Sequence, residues 1–538
     1  MFRTSRSVRA ITVAATLATA TALTLSLSST ATARADNHNR SEQLQKEVTL
    51  DGVMRHLDAL QEIADANDGN RAAGLPGYDA STDYVAERMR RAGYRVQQQE
   101  FEFDFFRETA PPVFEKTAPE PVTYTAGEDF ATMTFSATGN VTAPVQAVDL
   151  ALQTPETSTS GCEAADFNGF TRGNIALIQR GTCEFGVKTD NATAAGAVGV
   201  VIFNQGNGED RSGLLEGTLG RGGFTVPVIG TTFALGQELS AEGTEVHIQT
   251  TTESDRRTTT NVVAETRHGD SDNVVMLGAH LDSVPDGAGL NDNGTGSATI
   301  LEVAEEMAKA RPRNKVRFAW WGAEELGLVG STHYVTSLTE AQRADIALYL
   351  NFDMVGSPNF IRGVYDGDGS DFGLVGPPGS GEIEAMFSEH FTGEGLPYQG
   401  TEFSGRSDYQ AFIDNGIPAG GLFTGADGVK TEEEETLYGG VAGSIYDPCY
   451  HQTCDSSTPV ADGGDREVYA ELYEENDLDG NIAPEALDTN ADAIAHAAIT
   501  YAYDTSSVNG VARAAKAKAG QKSDAQVRGA HLHGVVRR

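Results

Sequence analysis

From about Arg256 onward, short apolar runs alternate with helical ones, and this pattern constrains the fold more than any other feature of the chain. Val274 to Leu277 reads as a strand, Ala298 to Ala310 as a helix, and Val316 to Trp321 and Ile346 to Phe352 as further strands. Strands that are apolar throughout are buried on both faces, so the pattern predicts an α/β fold: a mixed, mostly parallel sheet sandwiched by helices. In such sheets, chemistry gathers beyond the carboxyl ends of the strands. Upstream, Leu50, Val53, Leu57, Leu60 and Ile63 recur at helical spacing, and Tyr84, Val85, Met89 and Ala92 mark a second helix that Gly93 ends. Residues 109–140 are rich in Pro and Thr and read as a connector. Residues 141–255 have a different texture, with an apolar strand near Ile175, a helix from Val187 to Ala197 and a buried strand from Val198 to Phe203.

Each apolar strand is followed by residue types suited to binding metal. Gly278-Ala279-His280-Leu281-Asp282 follows the first, and Asp292 lies ten residues past Asp282 within Asn291-Asp292-Asn293-Gly294. Glu324-Glu325 follows Trp320-Trp321, and Asp353 follows Asn351-Phe352. A parallel sheet would bring these groups to one rim, where convergent His, Asp and Glu suit zinc. Adjacent acids such as Glu324 and Glu325 point in different directions, so one can bind metal while the other serves as a base. A second His is expected from Tyr446-Asp447-Pro448-Cys449-Tyr450-His451-Gln452-Thr453-Cys454-Asp455. Cys449 and Cys454 either clamp this loop as a disulfide, holding Tyr450 and His451, or form a zinc-binding pair. Secretion favours the disulfide, with Cys162 and Cys183 forming the other bridge.

The N-terminus supplies the compartment. Arg3, Arg6 and Arg9 precede an apolar stretch from Ile11 to about Leu27, and Ala33-Arg34-Ala35 follows, the order of a secretory signal peptide over residues 1–35. A secreted, extracellular protein is expected. No other apolar run approaches the roughly 18 residues a membrane span requires. With 39 Lys and Arg against 77 Asp and Glu, net charge −38, neither nucleic acid nor an anionic membrane surface is an expected partner. The tail 506–538 reverses the charge and reads as disordered or processed. Neither a G-x-S-x-G elbow nor an H-E-x-x-H helix occurs, which disfavours serine-hydrolase and single-zinc protease chemistry.

GAHLDSV, NDNGTGS, WWGAEELG, NFDMVG and YHQTCD, in this order, resemble the co-catalytic di-zinc aminopeptidases of metallopeptidase family twenty-eight, with a phosphorylase/aminopeptidase-like fold. GNRAAGLPGYDASTDYVAERMRRAGY is similar to that family's opening, and residues 141–255 resemble an inserted α+β protease-associated (PA) domain. The implied organisation is a signal peptide (1–35), an N-terminal part and connector (36–140), the PA insert (141–255), the main peptidase part (256–505) and the tail (506–538). The resemblance implies two zinc ions, with Asp292 as bridge, His280 and Asp353 on one and Glu325 and His451 on the other. Asp282 would orient His280, Glu324 would be the general base, and Tyr450 would donate to the oxyanion. Glu324, Asp353 and Arg406 would frame the pocket for the substrate's free amine, and Phe423 would wall a side-chain pocket suited to Leu. A calcium ion on Glu47, Asp488 and Asp492 is a further implied feature. The expected substrates are peptides with a free N-terminus, and a monomer is expected. A carboxypeptidase or dipeptidase on the same scaffold and a non-catalytic ectodomain are the alternatives. Glu432 to Glu435 reads as a solvated loop. The acid-rich stretch from Ser456 to Leu487 lies outside the compact family pattern and has no functional reading.

Overall fold

The computed structural model describes residues 38–208, 211–460 and 465–511. The proposed signal peptide and all but the first residues of the tail lie outside these. Among the described residues, fourteen strands run along the chain. The first seven are β1 (Arg95–Ala118), β2 (Val122–Thr123), β3 (Phe130–Thr132), β4 (Gly139–Val148), β5 (Ile175–Gln179), β6 (Gly199–Phe203) and β7 (Val228–Thr231). They are followed by β8 (Glu245–Glu265), β9 (Asp270–His280), β10 (Asn314–Trp321), β11 (Ile346–Phe352), β12 (Gly363–Tyr365), β13 (Gln399–Thr401) and β14 (Ala419–Phe423). They join in the order β13-β12-β14-β11-β9-β10-β8-β4-β5-β6-β7-β3, with β1 along β8 and β2 on β1.

The centre of the peptidase half is parallel: β9 pairs with β10 and β11, and β11 with β14. Successive side chains of these strands enter two different cores, as the period of two requires. Val275, Leu277, Val316, Phe318, Trp320, Leu348 and Leu350 pack beneath the helices Leu50–Asp65, Pro76–Ala92, Gly296–Met307 and Pro484–Tyr503. Val274, Met276, Ala319, Trp321 and Tyr349 pack against Val335 and Phe412 on the opposite face. Adjacent Trp320 and Trp321 are both fully buried, one in each core. Each indole N–H keeps a partner: Trp320 donates to the Ser297 carbonyl at 3.1 Å and Trp321 to Tyr349 Oη at 2.8 Å. At about 25 cal/mol per Å², burying roughly 150–250 Å² of indole contributes on the order of 4–6 kcal/mol, so the pair anchors both helical layers to β10.

The PA unit is a second sheet in which β4, β5, β6 and β7 are parallel. β4 is the shared strand, pairing with β8 through its first half and with β5 through its second, and β8 continues to β10 at its other end while β1 runs antiparallel along its length. The chain therefore enters and leaves the PA unit on one continuous two-stranded ribbon. This corrects the reading of residues 109–140 as a connector. Residues 109–118 extend β1, and Phe130–Thr132 joins the PA sheet against β7. Pro111 and Pro112 fit within β1 because the register with β8 is interrupted between Ala110 and Val113, where no ladder bond is required of them.

Two further expectations change. The run Glu432–Tyr438 is a helix, because Thr431 and Glu434 form a reciprocal capping box. Residues 506–509 form a short helix whose Val508 is buried, so the first residues assigned to the tail are part of the folded body. Glu47, Asp488 and Asp492 are not among the described His, Cys and acid groups gathered within 4.8 Å of one another. Asp488 and Asp492 do share the helix Pro484–Tyr503, whereas Glu47 accepts from Gln43. Both disulfides form, Cys162–Cys183 with Cα atoms 5.8 Å apart and Cys449–Cys454 with 5.3 Å. Among the described residues, no helix is long and apolar enough to cross a membrane.

Candidate active site

The parallel register fixes the rim. His280 ends β9 level with Trp321 of β10, so Glu324 and Glu325 emerge beside it, and Asp353 follows the last residue of β11. Asp292 arrives from the irregular turn Leu290–Thr295 that opens the helix Gly296–Met307. Asn293 anchors this turn to β11: its Nδ2 donates to the Phe352 carbonyl at 3.0 Å, and its Oδ1 accepts from Met354 N at 3.1 Å. His451 comes from the disulfide-closed loop and has a φ of +56°, a conformation uncommon outside glycine.

The resulting geometry is two His–carboxylate chains that meet at one carboxylate. Asp292 Oδ1 lies 3.1 Å from His280 Nε2, which is 3.2 Å from Asp353 Oδ1. Asp292 Oδ2 lies 3.2 Å from His451 Nε2, which is 3.0 Å from Glu325 Oε2. Ligand atoms on a tetrahedral zinc with bonds of about 2.0–2.1 Å stand roughly 3.3 Å apart. The four His–carboxylate separations match that spacing, and His280, Asp292 and Glu325 offer ligand atoms that all lie within 4.8 Å of one another. Glu324 stays outside both His–carboxylate chains, with Oε2 4.0 Å from His280 Nε2.

The donor chemistry fits cations. His280 Nδ1 faces the Asp282 carbonyl at 3.0 Å, an acceptor only, so Nδ1 carries a proton and Nε2 is directed at the carboxylates. The Asp282 carboxylate is 3.8 Å from that nitrogen and instead accepts the Glu324 N–H at 3.2 Å. Asp282 thus orients His280 mainly through its main chain. Glu325 Oε1 is buried with no hydrogen-bond partner. Burial raises the Glu324 carboxyl well above its usual value, and Asp408, Glu325 and Asp353 add to this against His280. Burial would lower His280, but Asp353, Glu324 and Asp292 drive it well above its usual value. Crowded buried acids of this kind are relieved by bound cations.

Several supporting residues were not visible as site residues in the sequence. A buried relay fixes Asp353: Trp321 donates to Tyr349 Oη, Tyr349 to Asn351 Oδ1 at 2.9 Å, Asn351 to Ser407 Oγ at 2.8 Å, and Ser407 to Asp353 Oδ2. This leaves Asp353 Oδ1 toward His280. Arg71 is fully buried, and its guanidinium donates to the carbonyls of Leu281, Ala288 and Gly289, holding the loop between His280 and Asp292. Burial lowers its pKa to about 10, which leaves it charged at neutral pH near Asp455, Asp282 and Asp292. The only visible signal was the motif NRAAG itself.

A cleft of about 210 Å³ opens onto the site, lined among others by Met354, Tyr365, Arg406, Phe423, Tyr446 and Tyr450. Phe423 is half-buried and parallel to Tyr365, 6.5 Å away, and Tyr365 stacks on Phe403 at 5.1 Å, giving an aromatic wall. The Tyr450 ring stacks on His451 at 3.8 Å. Burial, with Asp292 and Glu325, pushes its hydroxyl far above the usual value, so it stays a neutral donor. Arg406 is held by a bidentate pair with Asp427, at 2.9 and 3.1 Å, and donates to Tyr450 Oη at 3.3 Å.

Comparison with known proteins agrees with this geometry. The pattern of peptidase family M28 matches residues 261–471, and that of the PA domain residues 141–239. A protein named aminopeptidase from Pseudomonas aeruginosa strain UCBPP-PA14 is 54% identical over 407 residues, covering 75% of this chain and 76% of the relative. This chain belongs to peptidase family M28. Leucine aminopeptidase 2 of Trichophyton tonsurans is 41% identical over 433 residues, covering 78% of this M28 peptidase and 82% of the relative. Among solved structures, an aminopeptidase from Aneurinibacillus sp. strain AM-1 aligns with a TM-score of 0.62 at 25% identity, covering 85% of this chain and 95% of that one. A zinc aminopeptidase from Bacillus subtilis shares the fold, with a TM-score of 0.54 at 23% identity, covering 84% and 94%.

Proposed function

We propose that this M28 peptidase is a secreted, zinc-dependent aminopeptidase that removes the N-terminal residue of peptides and holds two zinc ions. The observation that carries this reading is Asp292, whose two oxygens face two different histidines at 3.1 and 3.2 Å. His280 and Asp353 would complete one ligand set, and His451 and Glu325 the other. The relatives named aminopeptidase and zinc aminopeptidase support the activity and the metal. Bound zinc supplies Lewis acidity toward the scissile carbonyl and a water acidic enough to attack near neutral pH.

The chain's own groups do the rest. Glu324, free of both ligand sets, accepts the proton of the attacking water and returns it to the leaving amine nitrogen. Tyr450 donates to the oxygen on which charge develops, so its effect is felt in the transition state. Arg406 positions Tyr450. It is the one Arg or Lys among the residues lining the cleft, and Asp427 engages its fork. Among the described residues lining the cleft, no unpaired guanidinium therefore awaits a C-terminal carboxylate, whereas Glu324 and Asp353 offer negative charge to a substrate ammonium. This favours an aminopeptidase over a carboxypeptidase. The wall of Tyr365 and Phe423 suits a large apolar first residue such as Leu. Two disulfides support an oxidising compartment. The test compares Leu-p-nitroanilide with an N-acetylated peptide bearing a free C-terminus, each with chelator and zinc add-back. Zinc-restored cleavage of the first alone is expected, and cleavage of only the second would overturn the reading.

A further inference from the structure

The acid-rich stretch between the disulfide loop and the helix Pro484–Tyr503 has no part in the chemistry above, yet it ends directly beneath the site. Two carboxylates, Asp447 and Asp455, flank the disulfide loop and are 0% and 2% exposed. Asp455 Oδ1 accepts the N–H of Asn291 at 2.8 Å, and its Oδ2 accepts the N–H of Asp292 at 3.0 Å. Asp447 Oδ1 accepts the N–H of Cys449 at 2.9 Å, and its Oδ2 accepts from Asn291 Nδ2 at 2.7 Å. One carboxylate thus grips the backbone of the residue proposed to bridge the metals, and the other grips the loop that carries His451.

Two buried carboxylates that share partners repel each other unless a donor is placed between them. Asn481 of the acid-rich stretch is that donor. It is fully buried, and its Nδ2 lies 3.0 and 3.2 Å from the oxygens of Asp447 and 3.0 Å from Asp455 Oδ1. An amide can present either end, and the wrong end would add a third acceptor to the pair. Tyr469, buried on the helix Arg466–Glu475, decides the orientation by donating its hydroxyl to Asn481 Oδ1. The backbone around Asn481 is pinned as well: its N–H donates to the Ser456 carbonyl at 2.9 Å, and Tyr473 Oη donates to the Gly480 carbonyl at 2.9 Å.

We infer that Asn481 and Tyr469 are positioning residues for the metal site, and that the acid-rich stretch exists to hold the Asp292 backbone and the His451 loop in one register through Asp455 and Asp447. The inference rests on the two-zinc reading of the site. Residues that hold metal ligands from behind commonly change metal affinity by about 10- to 100-fold when removed.

The test uses the full chain with its metal removed, titrated with zinc against a chromogenic chelator. Apo thermal unfolding and the visible spectrum of the cobalt-loaded form are measured alongside. Tyr469→Phe keeps the ring and removes only the donor that orients Asn481, and Asn481→Leu removes the amide. Weakening of zinc binding by about tenfold in Tyr469→Phe, with an altered cobalt spectrum and an unchanged apo midpoint, is the expected result. Asn481→Leu should weaken it further. If Asn481→Leu does not fold, Tyr469→Phe decides alone. Wild-type zinc affinity and cobalt spectrum in Tyr469→Phe would overturn the inference, whether or not the apo midpoint falls, because a scaffold role predicts that outcome. A wild-type chain that binds no zinc would overturn the two-zinc reading instead, so the two failures are distinguishable.

Discussion

Replacing Tyr450 by Phe isolates the proposed oxyanion donor. The ring stacks on His451 at 3.8 Å, and Phe preserves that contact, so the metal ligands keep their support. What disappears is a hydroxyl that accepts from Arg406 at 3.3 Å and donates into the cleft. Arg406 itself stays anchored by Asp427. Loss of one such donor costs about 10²–10³ in kcat, roughly 2.7–4 kcal/mol. Tyr450 is only half-buried, so water can partly replace the hydroxyl, and the low end applies: a fall in kcat of about 100-fold. The interaction forms chiefly in the transition state, so KM should move by less than about threefold. The assay is steady-state hydrolysis of Leu-p-nitroanilide, with zinc content measured on the same preparations. A kcat close to wild type would refute the assignment. So would a loss of kcat that simply tracks lost zinc, because the hydroxyl would then act through the metal loop.

Two further outcomes follow from the same geometry. Glu324→Gln keeps the shape of the side chain but not the base, so kcat should fall by about 10²–10⁴ while zinc content is retained; zinc loss in step with activity would make Glu324 a ligand instead. His496 stacks on His390 at 4.9 Å, and burial, reinforced by His390 and His38, lowers its pKa to about 4. Its unfolded value is about 6.5. The unfolded chain therefore binds the proton more readily, so this contribution is complete above pH 6.5 and is lost as the pH falls toward 4. His496→Phe should flatten the decline of the melting temperature between pH 7 and pH 5, and an unchanged decline would rule His496 out as its source.

The rim of the sheet was legible because backbone geometry does the gathering. Once β9, β10 and β11 are parallel and in register, His280, Glu324, Glu325 and Asp353 have nowhere else to converge. The disulfide loop was legible because two cysteines five residues apart are a local feature. Partners brought together over long sequence distances were not. Arg71 reaches carbonyls more than two hundred positions away, and Asn481 meets Asp447 and Asp455 only after an entire helix intervenes. The NRAAG motif marks the place of Arg71 but not its partners, and nothing in the residues around Asn481 marks it. The prolines of β1 misled for a local reason, since a register break that excuses them from the ladder is a property of the pairing. The capping box at Thr431 and Glu434 was in plain view, and the acidic run around it masked the helix it starts. A shared helical face aligns Asp488 with Asp492, but it says nothing about where Glu47 lies.

The most direct test of the account is the zinc stoichiometry of the metal-free chain, measured by titration with activity followed in the same samples. Two tightly held ions per chain are predicted, with activity returning as they bind, and Asp292→Ala should hold neither tightly because each ligand set loses the Asp292 oxygen that faces it. A single ion per chain at full activity, or an Asp292→Ala variant that still binds two, would contradict it.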